Sequence, residues 1–366
     1  MKIGILTYHR SHNYGALLQA IGLRVFLQEL GFDVYYIDYW PKYHKHIYSL
    51  FSFDVFLKQE GVKGKLRYIK KCANGYKEKK IRYNNFQGFI KKYICPHISS
   101  TKDCFDVIVH GSDQIWRKQP EICTFNPVYF GKSQIKAQMK ISYAASMGIL
   151  DVDLKDRDIL KEYISCLDII SVREIELLHL VENLGFSDVR LDPDPALLLS
   201  GRKWAETMNL KEDKERYVLY YKIFDSFDER QIKKFADMKG CSLKIVYSKA
   251  IKSNGAPSLS TIGPDSFLSL IYNASFVFTS SYHGLVFSLL FHKLFYASFS
   301  QNAGRAVSLL NTLGLQERLI SPYSMIPEVA EDINFKNVDV ILSELRIKTK
   351  NHFLNVYNRI ANNENE

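Results

Sequence analysis

Apolar residues recur along the chain in two alternating rhythms, compact runs followed by longer stretches with helical spacing. The run Ile3 to Thr7 predicts a buried strand, Ala16 to Leu30 a helix closed by Gly31, and Val34 to Ile37 a second strand. This order builds a parallel sheet from βαβ units. "FDVIVHGSDQIW" predicts a strand ending at His110, and "KISYAAS" and "DIISVRE" repeat a strand followed by a polar turn. A second series begins after "LDPDPALLLSGRKW", with strands expected at Tyr217 to Tyr221, Leu243 to Tyr247, Phe276 to Thr279 and Leu294 to Ala297.

The restart, together with the charged "NLKEDKERY", sets a boundary between Ser200 and Lys214. The expected fold is α/β, with two Rossmann-like domains facing a cleft. The first covers residues 1–200 and includes a basic helical insertion at about 42–102; the second covers 201–337. Residues 338–366 are read as a terminal helix, Val338 to Ile360, packing back on the first domain, followed by a disordered polar tail, "ANNENE".

Composition narrows the class. An apolar fraction of 46% over 366 residues supplies more than one core. The N-terminus reads as a strand rather than a signal peptide, so a cytoplasmic location is expected. "FVFTSSYHGLVFSLLFHKLFYASF" is interrupted by His283, Gly284, His292 and Lys293, which favours buried core over a membrane span. The cysteines form no CxxC pair, so no metal site, disulfide framework or cofactor is expected.

The formal charge of +10 is concentrated between Lys58 and Lys92, where Lys63, Lys65, Arg67, Lys70, Lys71, Lys77, Lys79, Lys80 and Arg82 face only Glu60 and Glu78. One reading is a solvated helical face. The functional reading is peripheral contact with anionic membrane at its inner face, or with an anionic lipid-linked substrate. No nucleic-acid motif accompanies the charge, so nucleic acid is not an expected partner.

Candidate chemistry falls at strand ends, where open α/β sheets bind ligands. In "YHRSHNYGALLQA", Gly15 would leave the first helical N–H groups open to an anion, and Asn13 either contacts that anion or caps the helix. "TSSYHGLVFSLLF" places Ser281, His283 and Gly284 at the start of a nearly all-apolar helix, with His283 either a proton donor or a structural histidine. Arg173 in "SVRE" suits a carboxylate or phosphate, or an ion pair with Glu174 or Glu176. Ser112, Asp113 and Gln114 in "GSDQIW" suit sugar hydroxyls or helix capping, and Arg305 lies near another helix start.

Taken in order, "NYGALLQA", "GSDQIW", "YAASMG", "SVRE", "DPALLL", "IGPDSFLSLIYNASFVFTSSYHGLVFSLLFHKLF" and "RAVSLLNTLGLQERL" resemble the polysaccharide pyruvyl transferase family from about Lys2 to Arg318. The resemblance implies a fold like the B-type glycosyltransferases. It also implies transfer of a pyruvyl group from phosphoenolpyruvate to two hydroxyls of a sugar in a cell-surface polysaccharide or lipid-linked oligosaccharide precursor, forming a cyclic ketal. It makes His283 the acid, Asp113 a contact or base for the sugar with Ser112 and Gln114 beside it, and Arg173 an anion clamp. Asn13, Gly15, Ser281, Gly284 and Arg305 then surround the donor. Some members carry arginine two residues before this histidine; here Ser281 stands there, so either Arg305 compensates from a neighbouring helix start or the donor is another anionic molecule. The other readings are a nucleotide-sugar glycosyltransferase and a non-catalytic glycan-binding relative.

Overall fold

A computed structural model describes residues 1–251, 259–301, 303–328 and 331–363. Strands β1 (Lys2–Leu6), β2 (Asp33–Ile37), β3 (Ile98–Ser99), β4 (Cys104–His110) and β5 (Lys136–Ser142) form a parallel sheet in the order β3-β2-β1-β4-β5. A parallel pair, β6 (Ile170–Val172) and β7 (Val189–Leu191), continues beside β5 through bridges Ile141–Ile169 and Ala145–Val172. The second lobe holds β8 (Tyr217–Lys222), β9 (Ser242–Tyr247), β10 (Phe276–Thr279) and β11 (Phe295–Ala297), parallel in the order β11-β10-β8-β9. The expected α/β class with parallel sheets is therefore present.

Helix α1 (Tyr14–Glu29) follows β1 and is buried along nearly its whole length, consistent with its apolar sequence. It ends where Gly31 takes φ +87°, a left-handed value that glycine adopts without strain. The insertion is helical: α2 (Lys42–Tyr48), α3 (Phe53–Leu57), α4 (Gly61–Ala73) and α5 (Tyr76–Tyr93). Helices α6 (Leu154–Ile164) and α7 (Ile175–Asn183) complete the first lobe. The second carries α8 (Gly201–Met208), α9 (Glu229–Met238), α10 (Pro264–Asn273), α11 (Tyr282–Leu290) and α12 (Gly304–Leu313).

One continuous apolar cluster runs through both lobes, joining Leu17 and Val107 to Val277 and Leu285. Arg82 departs from the expectation of a solvated or membrane-facing cation. It is buried, and its guanidinium donates to Tyr14 Oη at 2.8 Å and to the carbonyls of Ser260 at 2.8 Å and Ser248 at 2.9 Å. Arg82 thus ties the insertion to both lobes.

Helix α13 (Phe335–Asn363) contacts both lobes rather than the first alone. Its His292–Asp339 contact, 3.1 Å, lies on the second lobe. On the first, Arg346 Nε donates to the Leu197 carbonyl at 2.8 Å, and Thr349 meets Tyr143 at 3.3 Å. The polar tail begins in this helix, so Ala361 to Asn363 are helical; residues 364–366 lie outside the described residues.

Candidate active site

Residues that follow β1, β4, β8 and β10 line one cavity of about 430 Å³ between the lobes. This is where the carboxyl ends of parallel strands place ligands. Asn13, Gly15, Asp113, Gln114, Ser281, His283 and Arg305 all contribute to its wall. The structure therefore brings these seven predicted residues together. It does not bring Ser112, Arg173 or Gly284 to that wall.

The opening turn is shaped around the opposite lobe. Asn13 caps α1, its Oδ1 accepting the Ala16 N–H at 3.2 Å. A methyl group at position 15 would lie 2.0 Å from His283 Nδ1, so the glycine leaves the notch in which the imidazole rests. The turn's own histidines are structural. His9 is buried with Nδ1 3.0 Å from the Thr7 carbonyl, and burial, then Arg10, lower its pKa to about 4. Burial, then Arg82, lower that of His12 to about 4 as well.

His283 occupies the first turn of α11 and faces Asp194 of the first lobe, with Nε2 and Oδ2 3.5 Å apart. That distance is an ionic contact longer than a good hydrogen bond. Asp194 is fully buried; Oδ2 accepts from Arg173 Nη1 at 2.5 Å, and Oδ1 from the Ala196 N–H at 2.9 Å. Burial alone would raise the Asp194 pKa, but His283 and Arg173 overcome it and hold the carboxyl well below its usual range.

Arg173 is consequently not an open anion clamp. Its guanidinium is buried between Asp194 and Glu174, the latter at 3.3 Å. Burial opposes its charge, yet Glu174 and Asp194 prevail and keep it protonated. Ser112 is also sealed inside, donating to the Ala144 carbonyl at 2.7 Å and accepting from Arg173 Nη1 at 3.4 Å, and its burial keeps it from a sugar hydroxyl. Gly284 serves packing: an added Cβ would lie 2.2 Å from Thr279 Oγ1. Ser281 caps α11, its hydroxyl accepting the Gly284 N–H at 3.4 Å.

Among the predicted residues, Arg305 is the cation on the cavity wall. Its side chain is 14% exposed, its guanidinium lies 5.0 Å from the Tyr282 ring centroid, and its Nε is 3.8 Å from Glu174. Burial, then the charge of Arg173, lower its pKa. An anionic ligand would relieve that unfavourable positive charge. Asp113 takes φ 68° at the end of β4, while its Oδ1 accepts the Gln114 N–H at 2.8 Å. The chain therefore turns sharply just where this carboxylate enters the cavity.

Sequence reasoning missed several wall residues. Tyr8, His44 and Tyr48 add an aromatic side, with the Tyr8 and His44 ring centroids 4.1 Å apart. Gln119 and Glu121 add polar groups, and Arg117 a further cation. Asp194 was also missed, although "DPALLL" contained a signal: Asp followed by Pro marks a capped helical turn. The turn Pro195–Leu198 does begin there.

Fold and cleft together define a two-lobed α/β protein with parallel sheets and a cavity rimmed by helix N-termini. The family model for polysaccharide pyruvyl transferase matches residues 13–297, and the chain belongs to that family. Among solved structures, it is similar to Escherichia coli heptosyltransferase WaaC with ADP, at 10% identity and TM-score 0.40, over 94% of this chain and 100% of that one. It is also similar to UDP-GlcNAc 2-epimerase from Methanocaldococcus jannaschii, at 11% identity and TM-score 0.44, over 94% and 92% of the respective chains. A third is a putative UDP-N-acetylglucosamine 2-epimerase from Listeria monocytogenes, at 9% identity and TM-score 0.44, over 94% and 87%. No curated protein matches the sequence. Among the described residues, no helix is long and apolar enough to cross a membrane, and no cluster of His, Cys, Asp and Glu could hold a metal ion.

Proposed function

We propose that the protein transfers a pyruvyl group from phosphoenolpyruvate to two hydroxyls of a sugar in a cell-surface polysaccharide precursor, releasing phosphate and forming a cyclic ketal. The observation that carries this reading is the meeting of His283 with the N-terminus of α1 and with Arg305 in one cavity. Helices α1, α11 and α12 all begin at the wall of that cavity. The first-turn N–H groups that the Asn13 and Ser281 caps do not take, and those of uncapped α12, favour the phosphate and carboxylate of the donor.

Protonated His283 gives its proton to the donor's methylene carbon, and C2 becomes electrophilic. One sugar hydroxyl adds to C2 and loses its proton to Asp113. The C2–O bond to phosphate then breaks, with phosphate taking the bonding electrons. The second hydroxyl closes the ketal, and its proton leaves with phosphate. Arg305 and the helix N-termini stabilise negative charge on the departing group. Asp194 does not touch substrate in this scheme. It holds the imidazole in place from the opposite lobe, as a positioning residue.

The test is phosphate release from phosphoenolpyruvate across a panel of sugar acceptors, with ketal formation followed by mass spectrometry. Release is expected only with a productive acceptor. His283→Ala is expected to lower turnover by about 10²- to 10⁴-fold, the range for a positioned acid or base. Calorimetric binding of a nucleotide sugar, with no consumption of phosphoenolpyruvate on any acceptor, would replace this reading with glycosyl transfer. Wild-type protein that binds glycans yet consumes neither donor would replace it with a non-catalytic role.

A further inference from the structure

Helix α4 contains no buried residue, although Val62, Leu66 and Ile69 are spaced to share one face. Val62 is 74% exposed, Leu66 59% and Ile69 45%. Neighbouring α3 also has no buried residue, and its Phe53 and Leu57 are 64% and 55% exposed. The two helices contact each other, and Phe51, Phe56 and Tyr68 lie between them with ring centroids 5.4 to 6.4 Å apart. The hairpin thus has an aromatic seam of its own and turns a second apolar set outward.

Lys63, Lys65 and Lys70 border that apolar face, Arg67 and Lys71 stand behind it, and the helix has no acidic residue. A second copy would cover the apolar face but set these cations against their like. Nucleic acid would satisfy the charges and leave the apolar side chains in water. An anionic bilayer accommodates both, since an amphipathic helix can lie in its interface with lysines at the headgroups. The same insertion supplies Ile47, 53% exposed, to the wall of the cleft cavity.

We propose that the α3–α4 hairpin is a membrane-docking element that seats Phe53, Leu57, Val62, Leu66 and Ile69 in the interface of an anionic phospholipid bilayer. Docking does not depend on which reaction the cleft performs. The full chain should sediment with vesicles of phosphatidylglycerol and phosphatidylcholine, less so with phosphatidylcholine alone, and its binding should fall as salt rises.

Replacing Lys63, Lys65 and Lys70 by glutamine should lower partitioning on the order of a hundredfold. Leu66→Trp adds a fluorophore whose emission, relative to wild type, should shift to the blue on the anionic vesicles. Combined Val62→Ser, Leu66→Ser and Ile69→Ser should weaken binding without lowering the thermal midpoint, because these side chains are exposed. Absence of vesicle binding at low salt overturns the proposal. So does binding that ignores the serine changes, or an added indole emission in the Leu66→Trp variant that stays unshifted. A dimer dissolved by the serine changes, with no vesicle binding, would assign the face to a second copy instead.

Discussion

Replacing Gly15 by alanine tests the relation between the lobes with a single methyl group. The new carbon would lie 2.0 Å from His283 Nδ1. An ordinary contact is about 3.5 Å, so the imidazole would have to retreat by about 1.5 Å. Misplacing a reacting group by about 1 Å can cost on the order of a hundredfold in rate, so kcat for phosphate release should fall by at least about that much. Crowding of this kind lowers stability by about 1–3 kcal/mol, measurable by urea unfolding. Gly88→Ala is the control: that glycine lies on the exposed side of α5, where an added Cβ meets nothing within 4 Å. It should stabilise the protein by about 1 kcal/mol and leave turnover unchanged. If Gly15→Ala retained wild-type turnover, the notch would not position His283 and the proposed acid would lose its main geometric support.

Asp194→Asn leaves Arg173 without one of its two buried carboxylate partners and should cost about 3–5 kcal/mol at neutral pH. Because the folded Asp194 pKa lies below its unfolded value, its contribution is fully present above about pH 4 and is lost as pH falls through the lower folded value. The stability gap between wild type and Asp194→Asn, read from urea curves, should therefore narrow on acidification below that point. Arg305→Gln should raise the KM for phosphoenolpyruvate by about 10- to 100-fold, the worth of a charge-assisted contact. Arg173→Gln should chiefly lower the urea midpoint, since it strands Asp194 and Glu174 in the interior.

The elements most legible in the sequence were those with the strongest patterning. β1, β4, β8 and β10 are buried runs bounded by polar turns, and Gly31 stops α1. β3 and β7 were too short to show a period; Ile98–Ser99 and Val189–Leu191 are held by their neighbours in the sheet. At the site, helix starts were readable because capping and glycine have local causes. Depth was not readable. Arg173 and Ser112 follow strands just as Arg305 and Asp113 follow or begin their own elements, yet the first two face inward. The Asp194–His283 contact joins opposite lobes and has no local signature at either end. Arg82 resembled every other cation of the insertion until its carbonyl partners were placed around it.

Arg82 also constrains motion. A clamshell opening at the insertion would have to strip its guanidinium from Tyr14 and from two carbonyls, while peeling apart the shared apolar interior. The jaws are riveted on this side, so prising them apart there means giving up three charge-assisted hydrogen bonds together with part of the common core.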